Sequence, residues 1–306
     1  LRTIVVTGGT GFVGRRLLPR LIERGDQAIV LGRRSPDPRV PVGARSEPWT
    51  PEQRGDWYRH IDGASAVIHL AGEPVVAGRW TESQKERIYR SRIESTRQLV
   101  AALREAKSRP TTLLCASAVG YYGGRSDDAV VDESSPPGDD FLAHVVRDWE
   151  HEASKAEELG VRVVRLRIGL VLGDEGGVLG KMLPAFRMFA GGPVGPGGQV
   201  MPWVHVDDTV GLILFALDNE QAKGAINVTA PAPVTMDEFA RELGRALGRP
   251  SLLRVPSFAI KAMLGEAATP VLTGQRALPR EAGRLGYQFR FPALPGALAD
   301  LFGGRR

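Results

Sequence analysis

The chain has 306 residues, 42% hydrophobic and 25% charged, and a formal charge of +5 from 40 basic and 35 acidic side chains, a composition suited to one large α/β domain or a domain with a lobe. The single cysteine, Cys115, excludes an internal disulfide and sits in an apolar run that points to burial; the five histidines show no metal-site spacing, and the charges form no block of the kind that binds nucleic acid. With no apolar run of about 20 residues and no signal-peptide pattern, the chain is expected to be cytoplasmic, with a small molecule as its partner and neither nucleic acid nor membrane.

In chain order, short apolar strands are predicted at Thr3 to Val6, Gln27 to Leu31, Ala66 to Leu70, Thr111 to Ala116 and Arg162 to Arg167. Amphipathic helices are predicted between them, over Val13 to Arg24, Ser83 to Ala106 and Ala143 to Leu159. Such alternation is the pattern of parallel strands joined by crossover helices and buried on both faces. From Gly173 glycine and proline dominate, with one short helix near Lys181 to Ala190. A helix over Asp208 to Leu217, a strand over Gly224 to Val228, a helix over Met236 to Leu247 and a Pro/Gly-punctuated tail from Pro250 to Leu301 follow. The fold class is therefore α/β, a Rossmann-type doubly wound parallel sheet with a smaller C-terminal lobe. Residues 1–172 make most of the sheet domain, helped by 204–228, and residues 173–306 most of the lobe, whose distinct final segment starts near 250.

The strand Ile4-Val5-Val6 runs directly into Thr7-Gly8-Gly9-Thr10-Gly11-Phe12-Val13-Gly14, and a helix follows. Gly8 permits the tight turn, Gly11 lets backbone approach a pyrophosphate, Gly14 lets the helix pack close to the sheet, and the helix start presents free N–H groups to the anion. A glycine-rich turn without function is the bland reading, but strand, loop and helix in register point to a dinucleotide, held by Gly8, Thr10, Gly11, Phe12, Val13 and Gly14. The second strand of a NAD-binding unit usually ends on an acid that accepts the ribose 2′-hydroxyl. Here it ends on Gly32-Arg33-Arg34. Two guanidiniums suit a 2′-phosphate, so NADPH (NADP) is the expected cofactor, although two arginines at a strand end are often only solvated charge.

Further motifs stand in order along the chain: Leu70-Ala71-Gly72-Glu73, Arg79-Trp80, Ser91-Arg92, Ala118-Val119-Gly120-Tyr121-Tyr122, Arg167 to Gly173, Gly191-Gly192-Pro193 and Pro202-Trp203-Val204-His205. Ala277-Leu278-Pro279, Gly286-Tyr287 and Phe291-Pro292 mark the C-terminal segment. With these the chain resembles the extended short-chain dehydrogenase/reductases over essentially its whole length, in their atypical branch of "epimerase family proteins", similar to nucleoside-diphosphate-sugar epimerases. The resemblance implies a cofactor along the carboxyl ends of the strands and a substrate cleft against the second lobe. It adds Leu70, Ala71 and Gly72, Arg92 and Ser117 to the expected cofactor contacts. Arg92 stands where extended members commonly carry an asparagine near the nicotinamide ribose; its bland reading is a surface arginine on a helix that also carries Arg87, Arg90 and Arg97.

The resemblance also implies a Tyr-x-x-x-Lys pair and a nearby hydroxyl. Register places Phe141 or Leu142 at the tyrosine, Val145 or Val146 at the lysine, and Ala118 or the adjacent Ser117 at the hydroxyl. Ser117, Tyr121 and Tyr122 are then the weak catalytic candidates; paired tyrosines at a strand end are more often packing, and His144 more often a plain helix residue. Asp207-Asp208 read as an N-cap, and Met201 and Trp203 as lining an apolar pocket or filling the core. Gln199 to Trp203 offers no cation to a nucleoside diphosphate. Three functions remain: an NADP(H)-dependent oxidoreductase on a small carbonyl or sugar-like substrate, a non-catalytic NADPH-binding regulator or sensor, and a sugar-nucleotide epimerase.

Overall fold

The computed structural model describes residues 2–76, 78–125, 128–174 and 176–303. Its strands are β1 (Thr3–Thr7), β2 (Gln27–Gly32), β3 (Ala44–Pro48), β4 (Ala66–His69), β5 (Thr112–Ala118), β6 (Val130–Val131), β7 (Arg162–Ile168), β8 (Leu170–Gly173), β9 (Val200–Met201), β10 (Trp203–His205), β11 (Gly224–Val228), β12 (Val234–Thr235) and β13 (Arg276–Ala277). Its helices are α1 (Phe12–Glu23), α2 (Glu82–Glu105), α3 (Phe141–Ser154), α4 (Gly177–Arg187), α5 (Val206–Asp218), α6 (Met236–Leu247), α7 (Ser257–Leu264), α8 (Thr269–Leu272), α9 (Arg280–Arg284) and α10 (Leu294–Phe302).

Seven strands form one sheet in the order β11-β7-β5-β4-β1-β2-β3, every neighbouring pair parallel. Parallel strands joined by crossovers bury both faces, and two separate cores follow. On one face Leu17, Leu18 and Leu21 of α1 and Leu212 and Ile213 of α5 pack on Ile4, Val6 and Val30; on the other Ile88, Leu99 and Leu103 of α2 and Trp149 of α3 pack on Val5, Val67 and Leu113. Chain order reverses between β1 and β4, which opens the crevice where such sheets bind ligands.

The second lobe has its own core, with Phe186, Trp203, Phe239, Leu243 and Leu298 buried together. Met201 and Trp203 fill this core, the second of the two readings open for them. A capping box, Thr235 with Glu238, starts α6 where its sequence period begins. Two features depart from the sequence reading. The tail beyond Pro250, read as punctuated loop, carries four short helices and β13. The N-cap of α5 is His205, whose ring accepts the Asp207 N–H, and not Asp207-Asp208. Asp208 instead accepts the backbone N–H groups of Arg290 (2.8 Å) and Phe291 (2.9 Å) and the Tyr287 hydroxyl (3.1 Å), which docks the C-terminal segment on the sheet domain. Among the described residues no helix is long and apolar enough to cross a membrane. Cys115 is buried, which pushes its thiol pKa up.

Candidate functional site: the crevice between β1 and β4

The turn after β1 is closed by a hydrogen bond from the Gly11 N–H to the Gly8 carbonyl (2.9 Å). Gly8 is left-handed (φ +69°), and a Cβ on it would lie 2.6 Å from the Leu70 carbonyl carbon, so only glycine fits against the turn that leaves β4. A Cβ on Gly14 would meet the Gly8 carbonyl oxygen at 2.4 Å. Gly11 is the N-cap of α1 and makes no side-chain cap, and the first turn of α1 carries no acidic residue. The free N–H groups there form a positive end that nothing in the turn neutralises, which suits a pyrophosphate. Phe12 turns its ring under Gly173, Gly176 and Gly177, and Arg16 pairs with Asp174 at 2.6 Å, so the entrance to the second lobe is clamped to this loop.

Arg33 and Arg34 lie just past the end of β2 and are exposed. Asp37, the acid of their loop, is engaged by Arg39 at 2.9 and 2.6 Å and does not bond either of them. Leu70, Ala71 and Gly72 leave β4 across the loop, and Gly72 carries no side chain where the Arg92 guanidinium lies, 3.2 Å from its missing Cβ. Arg92 is partly buried, its Cζ 5.2 Å from the Trp149 ring centre and its Nη1 donating to the Ile88 carbonyl at 3.1 Å.

Beneath this edge His69 is fully buried between Thr7 Oγ1 (2.6 Å) and Thr96 Oγ1 (3.1 Å). Burial first, and the Arg92 charge second, lower its pKa to about 3. The folded value lies below the unfolded one of about 6.5, so the unfolded chain takes the proton more readily and stability falls as pH drops from about 6.5 towards 3. This group alone is expected to remove about 2 kcal/mol by pH 5 relative to neutral pH. Urea titrations at several pH values check it: the His69→Gln variant should lose that part of the slope, and an unchanged slope would exclude His69 as its source.

At the end of β5 successive residues face opposite sides of the sheet, so Ser117 and Ala118 point to different surroundings. Ser117 turns inward and its hydroxyl donates to Glu150 at 2.6 Å. Glu150 is held in turn by Arg167, from Nε at 2.8 Å and Nη2 at 2.9 Å, with all three residues buried. Arg167 also donates to the Tyr122 hydroxyl (3.0 Å), which donates to Asn227 (2.7 Å). Burial pushes the Tyr122 pKa up to about 12. Ser117 and Tyr122 are thus buried and bound into an internal network. Tyr121 keeps a partly exposed ring, stacked 3.5 Å from the Arg167 Cζ. Sequence reasoning missed Glu150 and Arg167 as partners; buried charges of opposite sign on neighbouring elements were the only available signal.

Helix α3 carries the residues at the other register. Leu142 and Val146, one turn apart, face Gly120, whose missing Cβ would lie 3.5 and 3.8 Å from them, while Val145 packs in the core with Trp149 and Phe141 stacks on Trp80 at 5.1 Å. Leu142 and Val146 therefore pack against the segment that follows β5, and neither can move a proton. Next to this segment Thr273 abuts Gly124, and Gln275 donates to the Gly123 carbonyl at 2.7 Å. Thr273 also lines a mainly apolar cavity of about 590 Å³ with Pro196, Lys261, Glu266, Thr269 and Leu272. His144 is exposed and bonds Asp139, outside this arrangement.

Among the described residues three metal-ligating groups gather once, at His205, Asp207 and Asp300. His205 Nδ1 accepts the Asp207 N–H at 3.1 Å, which leaves the ring proton on Nε2 facing Asp300, and Arg290 already spans both carboxylates at 3.1 and 3.6 Å. With its proton on Nε2 and a resident cation beside it, this group links the C-terminal segment to the start of α5.

Residues 4–229 match the NAD dependent epimerase/dehydratase family, and residues 255–301 match a domain of unknown function, DUF1731. The chain is 46% identical over 299 residues to the chloroplastic "Epimerase family protein SDR39U1 homolog" of Arabidopsis thaliana, covering 97% of this chain and 85% of that protein. It is 38% identical to "Epimerase family protein YfhF" of Bacillus subtilis, over 99% of both chains. The crystal structure of human epimerase family protein SDR39U1 (isoform2) with NADPH superposes with a TM-score of 0.87 at 34% identity, covering 98% of this chain and 99% of that one. With a Rossmann sheet, a glycine loop at its switch point and these relatives along its whole length, the chain belongs to the NAD dependent epimerase/dehydratase family, in the atypical short-chain dehydrogenase/reductase branch of epimerase family proteins.

Proposed function

We propose that the chain binds NADPH in the crevice between β1 and β4 and acts as an NADP(H)-dependent oxidoreductase on a small carbonyl or sugar-like substrate. The observation that carries this reading is the pairing of the Gly8–Gly14 loop at the switch point with Arg33 and Arg34 past β2, where no described acid bonds them. The NADPH in the human relative's crystal structure supports it. Bound there, the cofactor would supply a hydride. The chain's own residues shape the site: the α1 N-terminus and glycines hold the pyrophosphate, the two arginines the 2′-phosphate, and Leu70 to Gly72 lie close to the cofactor.

The double variant Arg33→Asp/Arg34→Ala is expected to weaken NADPH binding roughly 10- to 100-fold while leaving NADH binding within a few-fold, because it removes charged hydrogen bonds to the 2′-phosphate alone. Fluorescence titration of both cofactors checks this, and equal losses for both would remove the assignment. One observation favours a second reading, a non-catalytic NADPH-binding regulator: Leu142 and Val146 stand where the catalytic pair would be. A screen of carbonyl compounds separates the two. Oxidation of NADPH above the level of the double variant supports the oxidoreductase, and cofactor binding that raises Tm without turnover supports the regulator.

A further inference from the structure

The Arg92 guanidinium lies beside Gly72, where the chain leaves β4. Of its donors only Nη1 is used, by the Ile88 carbonyl at 3.1 Å and more weakly by the Ser91 hydroxyl at 3.4 Å. No described residue accepts from Nε or Nη2, and no described carboxylate lies within ion-pairing distance of the group. Nε and Nη2 together form the side-on edge that grips a carboxylate with two parallel hydrogen bonds. The group is also held still, stacked against Trp149 and tied to the carbonyl of its own helix one turn back. A preorganised guanidinium gives up less rotamer freedom on binding.

Burial pushes the Arg92 pKa down to about 10, with Glu73 opposing from a distance, and the same positive charge bears on His69. Arg92 is partly exposed and its Nε and Nη2 edge is reached by solvent, so an incoming anion can replace water there without displacing a partner in the chain. The cofactor phosphates have other partners: the α1 N-terminus lies at the glycine loop, and Arg33 and Arg34 lie beyond β2. Arg92 lies instead over Gly72, at the outer end of the turn from β4. Trp149, on which it stacks, is one turn along α3 from Val146, where the ammonium of a Tyr/Lys pair would otherwise provide the local positive charge.

We infer that Arg92 is the substrate's anchor, and that the substrate of this site bears a carboxylate, held side-on by Arg92 Nε and Nη2 over Gly72. The inference rests on the NADPH reading of the crevice and names the substrate class that reading leaves open.

The test uses the full chain saturated with NADPH, with oxamate as the carboxylate probe and oxamide as its neutral counterpart, read by Tm and by the fluorescence of the bound cofactor. Oxamate is expected to shift both signals and oxamide neither. Arg92→Gln should weaken oxamate binding roughly 10- to 100-fold and NADPH binding by a much smaller factor, since the phosphates that carry most of the cofactor's charge have other partners. Arg92→Lys, which keeps the charge and loses the fork, should restore only part of the oxamate affinity. Oxamate binding no better than oxamide would overturn the proposal. So would an Arg92→Gln variant that loses NADPH as strongly as oxamate, since Arg92 would then belong to the cofactor. Failure of the unaltered chain to bind NADPH at all would instead remove the cofactor reading, and this inference with it.

Discussion

Alanine in place of Glu150 is expected to destabilise the protein by about 3–5 kcal/mol, as a fall in the urea midpoint with an unchanged m-value. Arg167 is 3% exposed and Glu150 4%, and the carboxylate accepts two of the guanidinium's N–H groups and the Ser117 hydroxyl. Removing the acid leaves a buried cation whose acceptors among the described residues are the Tyr122 hydroxyl and the Glu133 carbonyl. The cost comes from that stranded charge and does not measure the worth of the pair. The double variant Glu150→Leu/Arg167→Met should therefore recover most of the loss. A double variant as unstable as Glu150→Ala would show that the network contributes through geometry that apolar packing cannot replace. Ser117→Ala should cost much less, because it removes a donor while Arg167 still satisfies the carboxylate.

Alanine at Gly14 is expected to weaken NADPH binding roughly 10- to 100-fold, measured by fluorescence titration. Its Cβ would meet the Gly8 carbonyl oxygen at 2.4 Å and Gly9 Cα at 2.6 Å, and both contacts are backbone, so α1 must move off the loop. Displacing the helix start moves the N–H groups that face the pyrophosphate, and the loss should therefore fall on NADPH and NADH alike, unlike that of the Arg33/Arg34 double variant. Gly180 in α4 provides the control: an added Cβ meets nothing within 4 Å, and Gly180→Ala should stabilise the chain by about 0.5–1 kcal/mol without touching cofactor affinity. Cofactor binding unchanged in Gly14→Ala would mean that the loop does not carry the pyrophosphate.

The central strands and the helices between them were legible because burial on both faces writes short apolar runs and helices write a 3.6-residue period. Predicted and observed bounds differ by a residue or two for most of them. The helix expected over Ala143 to Leu159 breaks instead after Ser154 into a separate turn at Glu157–Leu159. Strand β3, Ala44-Arg45-Ser46-Glu47-Pro48, was not legible, because an edge strand with polar residues on it carries no apolar run. Nor were α7 to α10, short elements whose packing against the rest of the chain stabilises them more than their own periodicity does.

By itself the amino-acid sequence determined the alternation of strands and helices, the glycine loop from Gly8 to Gly14, the arginines after β2 and the absence of a Tyr/Lys pair on the helix that usually carries it. These are local properties, set by backbone sterics, side-chain period and residue type at fixed offsets. The tertiary structure alone decided what each member of an adjacent pair packs against: Ser117 on buried Glu150, Leu142 and Val146 on Gly120, and Val145 in the core beside Trp149. It also decided that Arg167 finds Glu150 across 17 residues, that Asp208 holds Phe291 across 83, and that the Nε and Nη2 of Arg92 find no acceptor among the described residues. A one-residue shift in a strand turns a side chain to the other face, and contacts distant in sequence depend on how whole elements pack; neither is written in any local stretch of the chain.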